Sequence, residues 1–222
     1  MKRKYPKIQR VWFCFARFAC RIFLKLCLRL RFYGIENVPD CGPVVLVGNH
    51  QSFLDPVLCG ILIKRHMHYL ARDTLFKNRL FARLLTSVNT SPVKRGQADL
   101  TAIKDAIALL KQGNALCLFP EATRTTDGKI SSFKPGFGLL CRKSHAAVVP
   151  VLVDGAFECW PKNKKFFTLG SEIIVSYGKC IPADDVAKMS DEQLADNLTQ
   201  ILRSMQKDRR LEHKKQPYKY NQ

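Results

Sequence analysis

From residue 34 onward, short β-branched runs alternate with stretches whose apolar residues recur every three or four positions. This is the pattern of strands alternating with helices in an α/β domain. The runs predict strands over Val44–Val47, Met67–Ala71, Ser87–Val93, Ala115–Phe119, Val148–Val153 and Glu172–Tyr177. The amphipathic stretches predict helices over Pro56–Lys64, Thr74–Leu85, Asp99–Gln112, Pro135–Ser144 and Asp191–Lys207. The third has an apolar stripe of Leu100, Ile103, Ile107 and Leu110, with Gly113 just past its end as a stop signal. The last opens with Ser190 and Gln193 at capping-box spacing. From Asp208 on, polar and basic residues dominate, which predicts a frayed tail. No internal repeat or low-complexity segment interrupts this plan. It divides into a segment over 1–33, a domain over 34–207 and a tail over 208–222.

The first segment has a different rhythm. Val11 to Leu30 reads VWFCFARFACRIFLKLCLRL, and its cations at 17, 21, 25 and 29 recur every four residues. On a helix they form one basic stripe beside a wide apolar surface. A signal peptide needs a longer uninterrupted apolar stretch than the six residues Val11 to Ala16. A spanning helix would hold Arg17, Arg21 and Lys25 near mid-bilayer, at about 3 kcal/mol each. The pattern therefore predicts an amphipathic helix lying in a membrane interface, its apolar side in the acyl boundary and its cations on anionic phosphates. The plainer alternative is a core helix with a solvated basic edge.

Charge sharpens this picture. The 222 residues carry 37 Lys and Arg against 18 Asp and Glu, a formal net charge of +19. Residues 1–33 hold ten cations and no acid, and residues 203–222 hold seven cations and two acids, so the two ends supply +15 of the +19. Such an excess implies an anionic partner. Its concentration at the ends of a nearly balanced core favours anionic membrane lipids over nucleic acid, whose enzymes more often spread cations across the core. The nine cysteines include no C-x-x-C pair and several lie in apolar runs, which indicates free core thiols in a reducing compartment. No Cys/His quartet has zinc spacing, and the carboxylate clusters of a metal-dependent phosphate hydrolase are missing.

Four motifs follow strand-like runs. Gly48-Asn49-His50-Gln51-Ser52-Phe53-Leu54-Asp55-Pro56 leaves the first run and enters a helix, with Asp55-Pro56 reading as N-cap and first turn. His50 thus falls beyond a strand's carboxyl end, where α/β sheets place ligands. A strand-loop-helix turn can fold Asp55 back onto it. A carboxylate on one imidazole nitrogen fixes the tautomer and makes the other nitrogen a general base. On spacing alone, a capping Asp with an unrelated loop His is the plainer reading. Val93-Lys94-Arg95-Gly96 offers two cations and a glycine that admits a phosphate to the backbone, although an isolated K-R-G is more often a solvated loop. In Phe119-Pro120-Glu121-Ala122-Thr123-Arg124-Thr125, Glu121 is spaced to pair with Arg124, or Arg124 faces an anionic substrate. Val149-Pro150-Val151 lies inside a strand, where plain packing explains it.

Taken in order, N-H-Q-S-F-L-D, K-R-G, F-P-E-A-T-R-T and V-P-V resemble the four blocks of the glycerolipid acyltransferase family. In particular they resemble those of the 1-acylglycerol-3-phosphate (lysophosphatidic acid) acyltransferases, over roughly residues 34–180. The resemblance implies an α/β fold in which helices flank a mixed β-sheet. It implies His50 and Asp55 as a catalytic dyad, and an acceptor-phosphate region that includes Lys94, Arg95, Gly96, Glu121, Thr123 and Arg124, with Lys134 a further candidate cation. It implies an acyl-CoA or acyl-carrier-protein co-substrate, a lysolipid acceptor, no metal or organic cofactor, and a peripheral or monotopic protein on the cytoplasmic face of the membrane. Transfer is expected to be direct, because Ser52 sits in no G-x-S-x-G elbow. Two departures stand out: Ala122 where the family usually has Gly, and Thr125 where it usually has Ser. An Ala resists positive φ, so the turn and the acceptor pocket are expected to differ from those of a typical member. Acyl transfer to another lysolipid, such as a lyso-ornithine lipid or a lysophospholipid, or to glycerol 3-phosphate, stays open. A non-catalytic binder of anionic membranes or nucleic acid, with His50 and Asp55 structural, would leave the ordered motifs unexplained.

Overall fold

Val44, Val45, Leu46 and Val47 are all fully buried, as a run apolar on both sides requires: the strand is covered on two faces. Val44 and Leu46 join one core cluster with Leu58, Cys117, Val149 and Val151. Val45 and Val47 join a second with Leu110, Leu116, Leu152, Leu194 and Leu198. The sheet therefore separates two apolar layers, each closed by helices.

The computed structural model describes residues 7–94 and 99–220. Its elements are α1 (Lys7–Cys27), β1 (Arg29–Tyr33), β2 (Val44–Gly48), α2 (Asp55–Gly60), β3 (Met67–Arg72), α3 (Arg79–Ser87), β4 (Thr90–Val93) and α4 (Leu100–Lys111). They continue with β5 (Ala115–Leu118), α5 (Phe137–Ser144), β6 (Ala147–Asp154), α6 (Ala156–Cys159), β7 (Glu172–Tyr177), α7 (Ala183–Ala187) and α8 (Asp191–Glu212). The strands form one seven-stranded sheet in the order β1-β7-β6-β2-β5-β3-β4. Strands β2 to β6 pair in parallel, β7 is antiparallel to β6, and β1 is parallel to β7. The expected mixed sheet flanked by helices is the observed one. Because β2, β4, β5 and β6 run the same way, the segments that follow them all emerge at one sheet edge.

Four local readings are corrected. The first helix stops at Cys27, short of Leu30, and Arg29 begins an edge strand with Arg29↔Glu172 to Tyr33↔Ser176 in register with β7. The i, i+4 cation rhythm masked the alternation in RLRFY, which is a strand pattern. The helix expected over 74–85 is split, because the Asn78 side chain accepts from the amides of Leu80 and Phe81 and caps α3 there. That helix runs on to Ser87, and Asn89, at φ 61°, turns the chain into a shorter β4. The tail is not frayed from Asp208: α8 continues to Glu212, Arg210 Nε donates to the Gln216 carbonyl at 2.8 Å, and Tyr220 accepts from Ile130 N at 3.0 Å. The capping box of Ser190 and Gln193 is present as read. All nine cysteines are free, but only Cys59, Cys117, Cys141 and Cys159 lie in the core, while Cys14, Cys20 and Cys41 are exposed.

Most of α1 lies on the surface. Among the described residues from Val11 on, only Phe13 and Leu24 of this helix are buried, while Val11, Phe15, Phe18, Ile22 and Leu26 form an exposed apolar stripe. Arg21 and Lys25 are exposed beside it, whereas Arg17 turns inward to donate to the Ile63 carbonyl. Among the described residues, no helix is long and apolar enough to cross a membrane.

Candidate active site

β2 delivers the chain to His50 and α2 starts at Asp55, so residues 49–54 make a tight loop at the sheet edge. Asp55 does not cap its own helix. Leu54 holds the cap position, and Asp55 Oδ2 turns back to accept from Gln51 N at 2.6 Å, Ser52 N at 2.7 Å and His50 Nδ1 at 2.7 Å. A donor at Nδ1 means that Nε2 is the unprotonated nitrogen of the neutral ring. Nε2 has no hydrogen-bond partner among the described residues, and the His50 side chain is 17% exposed. The other face of the ring stacks on Phe119 at 4.7 Å between centroids. Phe119 lies where a Cβ on Gly48 would come within 3.0 Å of its ring, so the glycine makes room for the stack. Asp55 is fully buried, and this raises its carboxyl pKa against the opposing pull of His50 and the two amides.

The remaining polar residues of the loop are structural. Asn49 donates to the Val153 carbonyl at 2.9 Å and accepts from Val153 N at 2.8 Å, extending the β2–β6 pairing by one side chain. Gln51 bridges the Gly128 carbonyl and Phe157 N. Ser52 Oγ donates to the Trp160 carbonyl at 3.0 Å, an anchoring bond rather than a nucleophile's setting.

The segment after β5 closes on His50 from both sides. Glu121 Oε1 accepts from His50 N at 2.7 Å, and the His50 carbonyl accepts from Thr125 N at 2.8 Å. Glu121 Oε2 takes Ser131 N at 3.0 Å. Burial raises the Glu121 pKa to about 7, with the His50 and Ser131 amides pulling the other way. Among the described residues no ion pair joins Glu121 to Arg124, so the pairing expected from their spacing is replaced by a hold on the His50 backbone. Nothing in the sequence signalled this, because the partner is a main-chain amide 71 residues away.

Ala122 sits at φ 60°. The expectation that its methyl would turn the segment away from a left-handed turn is overturned. The Ala122 N to Phe119 carbonyl bond at 3.0 Å and the Thr125 bond to His50 hold the turn, at a strain cost of about 1 kcal/mol.

Arg124 lies over the Phe53 ring with Cζ 3.5 Å from its centroid, and its Nη1 is buried without a partner. The second oxygen of Asp55, Oδ1, is buried and unpartnered as well. Buried polar atoms are nearly always satisfied, so each of these two has capacity for one more hydrogen bond, to water or to a ligand. Thr123 and Lys134 are exposed, and Lys134 takes part through its backbone, donating to the Pro120 carbonyl at 3.2 Å. Lys94 is exposed at the end of β4, three strands from β2, or roughly 14 Å at about 4.8 Å per strand. Arg95 and Gly96 lie outside the described residues. The structure thus brings His50, Asp55, Glu121 and Arg124 together and leaves Lys94 at the far end of the same edge. Phe53 and Phe119, which seat the Arg and the His, passed in the sequence as ordinary motif apolars. Val149-Pro150-Val151 is buried in β6, as packing alone requires. Among the described residues, no group of three or more His, Cys, Asp or Glu is placed to hold a metal ion.

A strand-end imidazole oriented by a buried carboxylate, with its outer nitrogen open and an unpaired guanidinium nearby, is equipped for proton abstraction beside an anion. Residues 29–154 match the family model for acyltransferases, and the chain belongs to that family. It is 30% identical over 153 residues to the chloroplastic 1-acyl-sn-glycerol-3-phosphate acyltransferase LPAT1 of Arabidopsis thaliana, covering 68% of this chain and 41% of that one. It is 27% identical over 178 residues to a 1-acyl-sn-glycerol-3-phosphate acyltransferase of Bacillus subtilis, covering 80% of this chain and 86% of that one. In structure it resembles the 1-acyl-sn-glycerophosphate (LPA) acyltransferase PlsC of Thermotoga maritima, with a TM-score of 0.73 at 25% identity over 89% of this chain and 78% of that one. The chain spans about two fifths of the length of the plant relatives it matches.

Proposed function

We propose that the protein transfers a fatty acyl group from an acyl thioester to the free hydroxyl of 1-acylglycerol 3-phosphate, giving phosphatidic acid and a free thiol. The observation that carries this reading is the 2.7 Å bond from His50 Nδ1 to a buried Asp55, with Nε2 open. Nε2 takes the proton from the acceptor hydroxyl as that oxygen attacks the thioester carbonyl. Asp55 stabilises the imidazolium. The C–S bond then breaks, and the departing sulfur takes the proton from Nε2, which suits the thiol's higher pKa. The donor is acyl-CoA or acyl-carrier protein. No enzyme nucleophile takes part and no cofactor is needed.

Arg124 grips the acceptor phosphate, since its unpaired Nη1 is a buried donor awaiting an anion. Lys94, exposed just past β4, extends this basic edge, and Arg95 and Gly96 are assigned to the same phosphate on the family resemblance of K-R-G. The exposed apolar stripe of α1, flanked by Arg21 and Lys25, seats the protein on the cytoplasmic face of an anionic membrane.

Purified protein is tested with one labelled acyl-CoA against 1-acylglycerol 3-phosphate, glycerol 3-phosphate, a lysophospholipid and a lyso-ornithine lipid, with products resolved by thin-layer chromatography. Phosphatidic acid as the main product supports the reading. Preferential acylation of another acceptor would replace the substrate while keeping the chemistry.

A further inference from the structure

The connection between α6 and β7, residues 161–171, reads PKNKKFFTLGS and contains three lysines and no acid. Its base is tied shut. Thr168 N donates to the Cys159 carbonyl at 2.9 Å, and Trp160 Nε1 donates to the Lys164 carbonyl at 3.0 Å. A loop closed in this way could fold its apolar side chains inward. Instead Phe166 is 82% exposed and Leu169 is 69% exposed, and Lys162, Lys164 and Lys165 are exposed beside them. Apolar tips ringed by lysine are what an anionic bilayer interface accommodates: the rings enter the acyl boundary while the ammonium groups stay on phosphates.

Position favours the same partner. Gly170 N donates to the Cys27 carbonyl at 2.8 Å, and Phe167 meets Phe23 edge to face at 6.1 Å, so the loop is fixed to the end of α1. Its exposed residues therefore continue the surface of α1, where Phe23 and Leu26 are also exposed. On the other side Trp160 packs on Phe53 at 5.6 Å, and Phe53 carries Arg124. We propose that residues 161–169 are a second membrane-contact element which, with α1, fixes the mouth of the His50 site at the bilayer surface. This rests on the reading of α1 as a membrane-seated helix. The exposed Phe166 and Leu169 argue against an acidic carrier protein as the occupant, since the lysines alone would serve one.

The test uses the full chain and vesicles of phosphatidylglycerol and phosphatidylethanolamine. Lys162→Gln/Lys164→Gln/Lys165→Gln should weaken partition at low salt by about fivefold per lysine, and the difference should shrink at high salt. Phe166→Ser/Leu169→Ser should weaken it by about tenfold at either salt. Phe166→Trp should add emission that shifts to the blue and is quenched by brominated lipid. If the unaltered chain binds and all three variants behave like it, with no added quenching, the loop is not a contact element and the α1 reading survives. If the unaltered chain does not bind, both fail. Lysine variants that bind vesicles normally but lose activity only with an acyl-carrier-protein thioester would overturn the proposal in favour of a carrier site.

Discussion

Replacing Asp55 by Asn tests how the dyad works. An Asn in a His-carboxylate pair can turn its NH2 toward the imidazole and force the wrong tautomer. Here the backbone forbids that. Gln51 N and Ser52 N both donate to Oδ2 from 2.6 and 2.7 Å, so only the carboxamide oxygen fits at that position. The Nδ1–H tautomer is kept, and what disappears is the carboxylate's charge. With about 4 Å between charge centres and an effective dielectric of about 20, its attraction for an imidazolium is about 4 kcal/mol. That corresponds to a fall in kcat of about a thousandfold. KM should change little, because the neutral ground state loses almost nothing. Asp55→Ala differs in kind: it orphans two buried amides at about 1–3 kcal/mol each and should destabilise the fold. Initial rates with radiolabelled acyl-CoA, beside urea unfolding of each variant, separate the two effects. An Asp55→Asn enzyme within tenfold of native kcat would refute the electrostatic role.

Further expectations concern the clamp and the acceptor. Glu121 holds its proton up to about pH 7 in the fold and loses it near 4.5 when unfolded. Its contribution to stability should therefore fall as pH rises through that window, by on the order of 3 kcal/mol. Glu121→Gln should flatten this slope in urea midpoints taken at about pH 5 and about pH 8, and an unchanged slope would contradict the assignment. Ala122→Gly should relieve the left-handed strain, adding about 1 kcal/mol and roughly 2–4 °C to Tm in calorimetry; a lower Tm would show that the turn is not strained. Arg124→Ala should raise KM for a phosphate-bearing acceptor by about 10- to 100-fold with a smaller change in kcat. Steady-state kinetics on acceptors with and without the phosphate decide this, and equal losses on both would remove Arg124 from phosphate binding.

What the sequence made legible follows from how local each signal is. Val44–Val47, the Ser190 capping box and the strand-loop-helix run from Asn49 to Pro56 are contiguous patterns, and each appears where it was read, except that Leu54 and not Asp55 holds the helix cap. Arg29–Tyr33 failed because two periodicities overlapped, and only pairing with Glu172–Ser176 decides between them. The tail failed because its anchors are tertiary: Arg210 Nη1 reaches the buried Asp154 at 3.0 Å, and Tyr218 donates to Glu158 at 3.0 Å. Glu121 and Arg124 looked like partners at i and i+3, but the turn sends one to the His50 backbone and the other over Phe53. Ala122 shows the limit of intrinsic preference, since a turn bond to Phe119 and a long-range bond from Thr125 to His50 hold it where a methyl resists going.

The most direct measurement is single-turnover acyl transfer by His50→Ala, with acceptor affinity measured on the same protein. The account predicts native binding and folding with product formation lost to background, because Asp55 is buried and both Glu121 oxygens are taken by the His50 and Ser131 amides, which leaves His50 Nε2 as the base. Turnover near the native rate would contradict it.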